Sequence, residues 1–197
     1  GTLTVPLPTA SYDGDRGLVI VPGLKHDRYG FDKQPYSSRT RIQAGWAFGL
    51  NEPIFDFRYL ARDALAGSDI SLDFRWSGIE IINFYGLGNE TVVSGSTSFH
   101  RVAHKQVTAT LAAGVGDGER RFLEIGPTFT YTSTDTTDAA SFIAVTDPYG
   151  SGKFAHIGGR LAFGVDARDH LGTPTGGWRV EGGASFYPRL LDAGDRS

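Results

Sequence analysis

The residues best placed for chemistry are charged side chains that alternate with apolar ones. Asp166 and Arg168 lie two residues apart, so on a β-strand they would point to the same side. One interpretation is an ion pair with a role in gating or assembly. The interpretation we favour is a salt-bridge network inside the fold, where burial would require each charge to have a partner. The further charges assigned to that side are Arg41, Asp56, Arg58, Arg62, Asp73, Arg75, Glu124, Arg160, Arg179 and Glu181.

These inward charges are nearly balanced in sign. With Asp166 and Arg168 included, seven are basic and five are acidic, which is close enough for them to pair with one another. An unpaired charge away from water would be strongly unfavourable. The sequence therefore predicts a paired polar interior.

Other chemical motifs are weak. The five histidines are scattered, and only His100 and His104 are near each other, at a spacing that makes no metal site on a strand. The glycines at 86 and 88 lack the third glycine of a dinucleotide fingerprint, and Lys153 is followed by Phe154 where a phosphate loop has Ser or Thr. We therefore expect no enzyme activity, no cofactor and no metal.

The elements that carry these charges read as strands, because apolar residues recur with a period of two. Residues 70–77 place Leu72 and Trp76 on one side and Asp73 and Arg75 on the other. The same pattern, separated by turn residues, predicts eight strands at residues 17–25, 40–49, 54–62, 70–77, 102–115, 121–132, 154–167 and 178–187. Residues 1–16 are expected to be a lead-in segment. Residues 136–145 could make one short turn of helix, but a loop is the better interpretation.

Apolar residues occupy one side of nearly every predicted strand, and too little chain remains to cover them with protein. Lipid is the best candidate for that role, since strands of about ten residues are long enough to cross a bilayer when tilted. Amphipathic rings on this side predict an aromatic girdle at the headgroup level. Its members are Trp46, Trp76, Trp178, Tyr59 and Tyr131.

Composition agrees with a single domain of 197 residues that spans the whole chain. The net charge of −3 gives no electrostatic footprint for nucleic acid. Cysteine is absent, which excludes disulfides and thiol nucleophiles.

Several short phrases resemble the bacterial surface antigen family, the outer-membrane barrel family that includes BamA and TamA. The first are Tyr29-Gly30-Phe31 and Pro35-Tyr36-Ser37-Ser38. The most specific are the run from Asn83 to Thr91, NFYGLGNET, and the run from Asp166 to Trp178, which reads D-x-R-D followed by P-T-x-G-W. The resemblance covers essentially the whole chain, which has about eight strands where the family usually has sixteen.

This resemblance implies an antiparallel up-and-down transmembrane β-barrel in the outer membrane of a Gram-negative bacterium. The implied function is that of a membrane-embedded module, an anchor or a pore, with the lipid bilayer as its partner. A second copy of the chain, or a periplasmic domain or protein, is a further candidate partner. The alternatives are a fragment of an outer-membrane protein assembly or translocation component and, from another class, a soluble lipid-binding β-barrel.

Two modes of closure satisfy the rule that no sheet edge faces lipid. Eight strands can close alone into a narrow barrel filled by side chains, or the first and last strands can pair with a second copy. Inward-facing glycines and balanced charges favour the closed monomer, which is the expectation tested below.

Overall fold

The fold is all-β, as a computed structural model of the chain displays it. The structure describes residues 1–14, 16–31, 35–83, 85, 97–117, 120–134, 142–146, 151–170, 173–189 and 192–194. Within these described residues, one antiparallel sheet contains every strand, and two short helices lie between strands.

In the part of the chain that the structure describes, the sheet is built from twelve strands. In chain order they are β1 (Thr2–Pro6), β2 (Ala10–Asp13), β3 (Gly17–Ile20), β4 (Gly23–Arg28), β5 (Ser38–Ala47), β6 (Glu52–Leu65), β7 (Ser68–Asn83), β8 (Arg101–Gly116), β9 (Arg121–Thr134), β10 (Lys153–Asp166), β11 (Arg179–Phe186) and β12 (Asp192–Gly194). The helices are α1 (Thr97–His100) and α2 (Phe142–Thr146).

The topology is a meander in which neighbours in sequence are neighbours in the sheet. The order along the sheet is β1-β4-β5-β6-β7-β8-β9-β10-β11, and each pair is antiparallel. Three short strands extend positions that are already on this path: β2 continues β1, β3 continues β4 and β12 continues β11 along the edge of β10. The sheet therefore has nine strand positions.

The β6–β7 and β8–β9 turns lie at one end of the sheet, and the two longest connections, between β7 and β8 and between β9 and β10, lie at the other. The β6–β7 turn places Ala66 at φ 50° and Gly67 at φ 82°, a left-handed pair that suits the right-handed twist of a two-residue hairpin. We call this the short-loop end. At the opposite, long-loop end, the rings of Phe99 and Phe142 lie with centroids 5.6 Å apart, so α1 and α2 meet there.

Each of the eight predicted strands coincides with or overlaps an observed one, but the structure differs from the prediction at three places. The first predicted strand is interrupted between β3 and β4 at Val21 and Pro22, because proline has no N–H for the ladder. Residues 1–16 are not a simple lead-in, since they include β1 and β2. Within the segment read as a loop, Phe142–Thr146 is helical.

Closure into a barrel, which the sequence led us to expect, is not found. Among the described residues the sheet is open, with β1 at one edge and β11 at the other and no pairing between them. The physical reason is visible at the first edge, where β1 occupies the side of β4 that a closing strand would need.

Burial across the sheet is the reverse of that in a soluble β-sandwich, whose covered face is apolar. The covered side carries buried Ser71, Ser77, Thr110, Thr128 and Thr130. We call this side the polar face. The opposite side, the apolar face, exposes large hydrophobic residues on every strand from β5 to β11, among them Ile42, Tyr59, Trp76, Leu111, Phe129, Phe163 and Val180.

Candidate functional site

The polar face is organised by register, because directly paired residues on neighbouring strands share a side of the sheet. One row runs from Lys25 through Arg41, Arg58 and Asp73 to Thr110. Strand alternation thus gathers charges from separate strands onto one surface, as the period of two predicted.

Ion pairs link neighbouring strands across this face. Arg41 Nη2 lies 3.0 Å from Asp56 Oδ1, and Arg58 Nε lies 3.2 Å from Asp73 Oδ1. A third pair lies within one strand, β11, where Arg179 Nε donates to Glu181 Oε1 at 3.0 Å. The polar face therefore neutralises much of its charge within the sheet.

The strand register places the two remaining predicted network members on the same polar face. Arg75 lies opposite Asp56 in the register between β6 and β7. Arg160 is exposed and lies opposite Gly126 and Ser185, and the described residues provide no ion pair for it. The structure thus brings the predicted charges together as several local pairs.

A cavity of about 360 Å³ lies on the polar face toward the short-loop end. Its lining comes from both halves of the sheet, with Lys25 of β4 and Glu124 of β9 among the lining residues, so the sheet is strongly curved. The lining includes Lys25, Arg39, Arg41, Arg58, Asp69 and Glu124. Most of the basic groups already contact carboxylates, which argues against a dedicated anion site.

Arginines at the short-loop end join strands and turns, and we call Arg39, Arg62, Arg120 and Arg168 the arginine rim. Arg39 donates to Asp27 through Nε at 2.6 Å and through Nη2 at 2.9 Å, a bidentate pair. Its guanidinium carbon also lies 3.9 Å from the ring centroid of buried Tyr36, within cation–π range.

The second member, Arg62, is buried and connects three strands. Its Nε lies 3.1 Å from Asp69 Oδ2 on β7, and its Nη2 donates to the carbonyl of Gly116 on β8 at 3.0 Å. This arginine therefore fixes the ends of β6, β7 and β8 relative to one another.

Asp166 and Arg168, the pair that the sequence singled out, form a bidentate contact. Arg168 Nε donates to Asp166 Oδ1 at 2.8 Å, and Arg168 Nη2 donates to Oδ2. Arg120, from the turn before β9, donates to the carbonyls of Arg168 and Asp169. The rim thus ties two separate loops together.

The loop after β10 is organised around Asp169. Its carboxylate accepts hydrogen bonds from the backbone N–H groups of His170, Thr175 and Gly176 and from the Thr175 hydroxyl. The Thr175 hydroxyl, and after it those N–H groups, lower the pKa of the Asp169 carboxyl to about 2. Gly177 then adopts φ 100° where the chain passes close to Ala167, which suits glycine alone.

The predicted girdle aromatics all belong to the apolar side of the sheet. Trp76 and Tyr131 lie in one row, since both pair with Val107. Trp46 lies at the same long-loop end, paired with Pro53, and its indole N–H donates to Asn51 Oδ1 at 3.3 Å. Trp178 lies at the short-loop end and is 56% exposed, while Tyr59 pairs with Leu72 between the two ends.

Sequence reasoning missed the contacts that hold the loops. Tyr36, Asp27 and Arg39 were not recognised as a unit, nor were Arg120 and Asp169. Two of the segments that resemble the bacterial surface antigen family include some of these residues. Tyr36 lies in the segment 35–38, and Asp169 lies in the segment 166–178. Most of the third phrase, 83–91, lies outside the described residues.

The described residues include no helix long and apolar enough to span a membrane. They also include no group of three or more metal-binding side chains.

No family model, curated protein or solved structure matches this chain. The resemblance to the bacterial surface antigen family therefore remains a prediction from the sequence.

Proposed function

We propose that this chain is a membrane-embedded β-sheet domain of the bacterial outer membrane, acting as an anchor or as part of a pore. Its apolar face contacts acyl chains, and its polar face lies inside. The observation that supports this proposal is the reversed burial of the sheet. Thr110 and Thr128 are 4% and 3% exposed on the polar face, whereas Trp76 is 43% exposed and Leu111 51% exposed on the other.

The size of the apolar face favours lipid over water. Soluble proteins expose single hydrophobic residues routinely, but contiguous apolar patches larger than several hundred Å² usually mark an interaction surface. Here exposed and half-buried apolar residues lie side by side in register. Phe57 lies between Ile42 and Phe74, and Leu111 lies beside Leu72. Acyl chains would cover this continuous surface.

A soluble lipid-binding barrel would need the opposite polarity. Its ligand cavity would be lined mainly by apolar side chains, with charges outside. The cavity of about 360 Å³ found here is lined by basic and acidic groups, with Leu60 and Phe122 among the few apolar ones. The polarity of the cavity therefore argues against that alternative.

Vesicle flotation after refolding from denaturant tests the proposal. The chain should float with phospholipid vesicles and should require detergent or lipid for a native β-sheet spectrum. A monodisperse, folded chain in detergent-free buffer would contradict the proposal.

A pair of arginine substitutions locates the lipid-facing surface. Phe57→Arg, in the middle of β6, should impair insertion by roughly 2–4 kcal/mol if the site lies near the midplane. Leu65→Arg, at the hairpin end of the same strand, is the matched control and should cost about 0–1 kcal/mol, because charge is tolerated near the interface. If the two substitutions reduced flotation equally, the proposal that β6 crosses the bilayer would be contradicted.

A further inference from the structure

The two edges of the sheet run in the same direction. Among the described strands, β1 and β11 occupy the first and the ninth position of a sheet whose neighbours are all antiparallel, so these two strands are parallel to each other. Joining them would create a parallel pair in an otherwise antiparallel sheet. By contrast, β4 is the second position and runs opposite to β11, so these two strands could join with antiparallel bonds.

The free side of β1 is also poorly suited to accept another strand. The N–H of Leu7 donates to the Gly23 carbonyl at 2.8 Å, and the N–H of Tyr29 donates to the Gly1 carbonyl at 2.9 Å. Backbone groups along a strand alternate between its two neighbours, so the even-numbered residues face the open side. Pro6 and Pro8 are among them, and proline has no N–H to donate.

The side-chain pattern of β1 is reversed relative to the sheet that it joins. Leu3 pairs with Asp27 and Val5 pairs with Lys25, so apolar side chains share the polar face with charges. On the apolar face, Thr4 pairs with His26, and its hydroxyl lies 2.8 Å from His26 Nδ1. β1 therefore matches the edge of β4 in backbone bonding but not in polarity.

β11, at the other edge of the sheet, has the side-chain polarity that β1 lacks. Glu181 pairs with Gly164 on the polar face, and Val180 pairs with Val165 on the apolar face. β11 contains no proline, so its free edge can donate along its whole length. On the edge of β4, its inward Arg179 and Glu181 would face the same side as Lys25 and Asp27.

We propose that β1 and β2 form a replaceable edge strand, and that β11 of the same chain takes their place on β4 when the sheet enters a bilayer. The exchange leaves eight antiparallel positions in a closed ring, with no sheet edge facing lipid. This inference rests on the proposed membrane location, since lipid supplies the penalty for an open edge.

Local connectivity explains why β1 and β2 occupy the edge first. They are joined to β3 by the turn between Asp13 and Gly17, so pairing them closes only a short loop. Bringing β11 to β4 requires the ends of a segment of about 150 residues to meet, which costs more entropy and is slower. The N-terminal strand therefore covers the edge of β4 until the sheet curls fully.

Introduced cysteine pairs distinguish the two arrangements, because the chain has no cysteine of its own. Thr4→Cys with His26→Cys reports β1 on β4. Val180→Cys, combined in turn with Leu24→Cys or His26→Cys, reports β11 on β4, and Ala184→Cys with Ile20→Cys extends the test to another register. All of these positions lie on the apolar face, and directly paired strand residues are close enough for a disulfide.

Each variant is oxidised in dilute detergent and again after insertion into phospholipid vesicles, with flotation measured on the same samples. In vesicles, we expect loss of the Thr4–His26 disulfide and appearance of an intrachain disulfide between β11 and either β4 or β3. Persistence of the first disulfide in floated chains, with none of the others, would overturn the exchange. Disulfides that form only between chains would overturn it in favour of a second copy. Chains that fail to float would refute the membrane proposal itself, and the exchange with it.

Discussion

Thr110 and Thr128 form a hydrogen bond between their hydroxyls, with the two Oγ1 atoms 2.9 Å apart across β8 and β9. Both side chains are buried on the polar face. Threonines directly opposite each other on neighbouring strands are a favourable cross-strand pair. In a soluble sheet these covered positions would hold apolar residues, so the pair is a local sign of the reversed polarity.

This pair leads to a double-mutant prediction. Thr110→Val or Thr128→Val alone should lower the free energy of unfolding by about 1–3 kcal/mol, because the other hydroxyl would be buried without a partner. Both together should cost less than the sum, because no orphaned hydroxyl remains. Urea unfolding in detergent micelles measures all three variants, with Thr9→Val as the exposed control. A strictly additive double variant would show that the two hydroxyls are not coupled.

Close contact between strands predicts a difference between two glycines. A Cβ added at Gly126 would meet the carbonyl oxygen of Leu111 at 1.9 Å, whereas one added at Gly159 would meet nothing within 4 Å. Gly126→Ala should therefore lower the free energy of unfolding by about 1–3 kcal/mol, the usual cost of overpacking. Gly159→Ala, on the neighbouring strand, should be neutral or slightly stabilising. The same unfolding assay compares them, and equal losses would exclude the steric explanation.

The sequence predicted strands well because the period of two is a local property. Ile70–Ser77 needed no knowledge of its neighbours to be recognised as alternating, and it lies wholly within β7. Residues 1–16 were misjudged because Pro6 and Pro8 interrupt the expected pattern. Their pairing becomes visible only once Leu7 is seen bonded to Gly23. Whether a short segment forms an edge strand depends on the strand beside it, and the sequence pattern of the segment does not show that partner.

The sequence predicted which charged residues lie on the polar face, but it did not predict which of them pair with each other. Alternation within β5 and within β6 placed Arg41 and Asp56 each on the charged side of its own strand, because side chains two apart on a strand share a face. It gave no register, so the pairs Arg41–Asp56 and Arg58–Asp73 required the strand alignment. The contact from Arg120 to the Arg168 carbonyl spans 48 residues between two loops, and no spacing rule reports it.

The contact between Asp166 and Arg168 predicts a stability difference between two acidic residues. Asp166 is 8% exposed and holds Arg168 by two hydrogen bonds, while Glu181 and its partner Arg179 are both about half exposed. Asp166→Ala should therefore destabilise the sheet more than Glu181→Gln, because a shielded arginine would lose its partner. The heat-induced shift in gel mobility of the folded form measures this. An unchanged melting point for Asp166→Ala would argue against a structural role for the pair.

The loop held by Asp169 should lose its structure at a lower pH than a loop held by a carboxyl of ordinary pKa. Its hydrogen bonds to Thr175 and neighbouring N–H groups lower the pKa to about 2. They favour the charged form, so their contribution is present above the ordinary aspartate pKa of about 3.9 and is lost as the pH falls through about 2. We expect the loop to keep its structure at pH 4 and to open as the pH approaches 2.

Trp178 offers a reporter for this transition, because its carbonyl accepts a hydrogen bond from the Ala167 N–H in the same loop. With Trp46→Phe and Trp76→Phe in place, it is the only tryptophan left of three. Its emission in detergent micelles should stay constant from pH 7 to about 4 and shift as the pH falls toward about 2. Asp169→Asn in the same background should change the emission already at neutral pH and remove this acid transition, because an amide cannot replace the carboxylate as a multiple acceptor. An identical acid transition in the Asp169→Asn variant would mean that another group controls the loop.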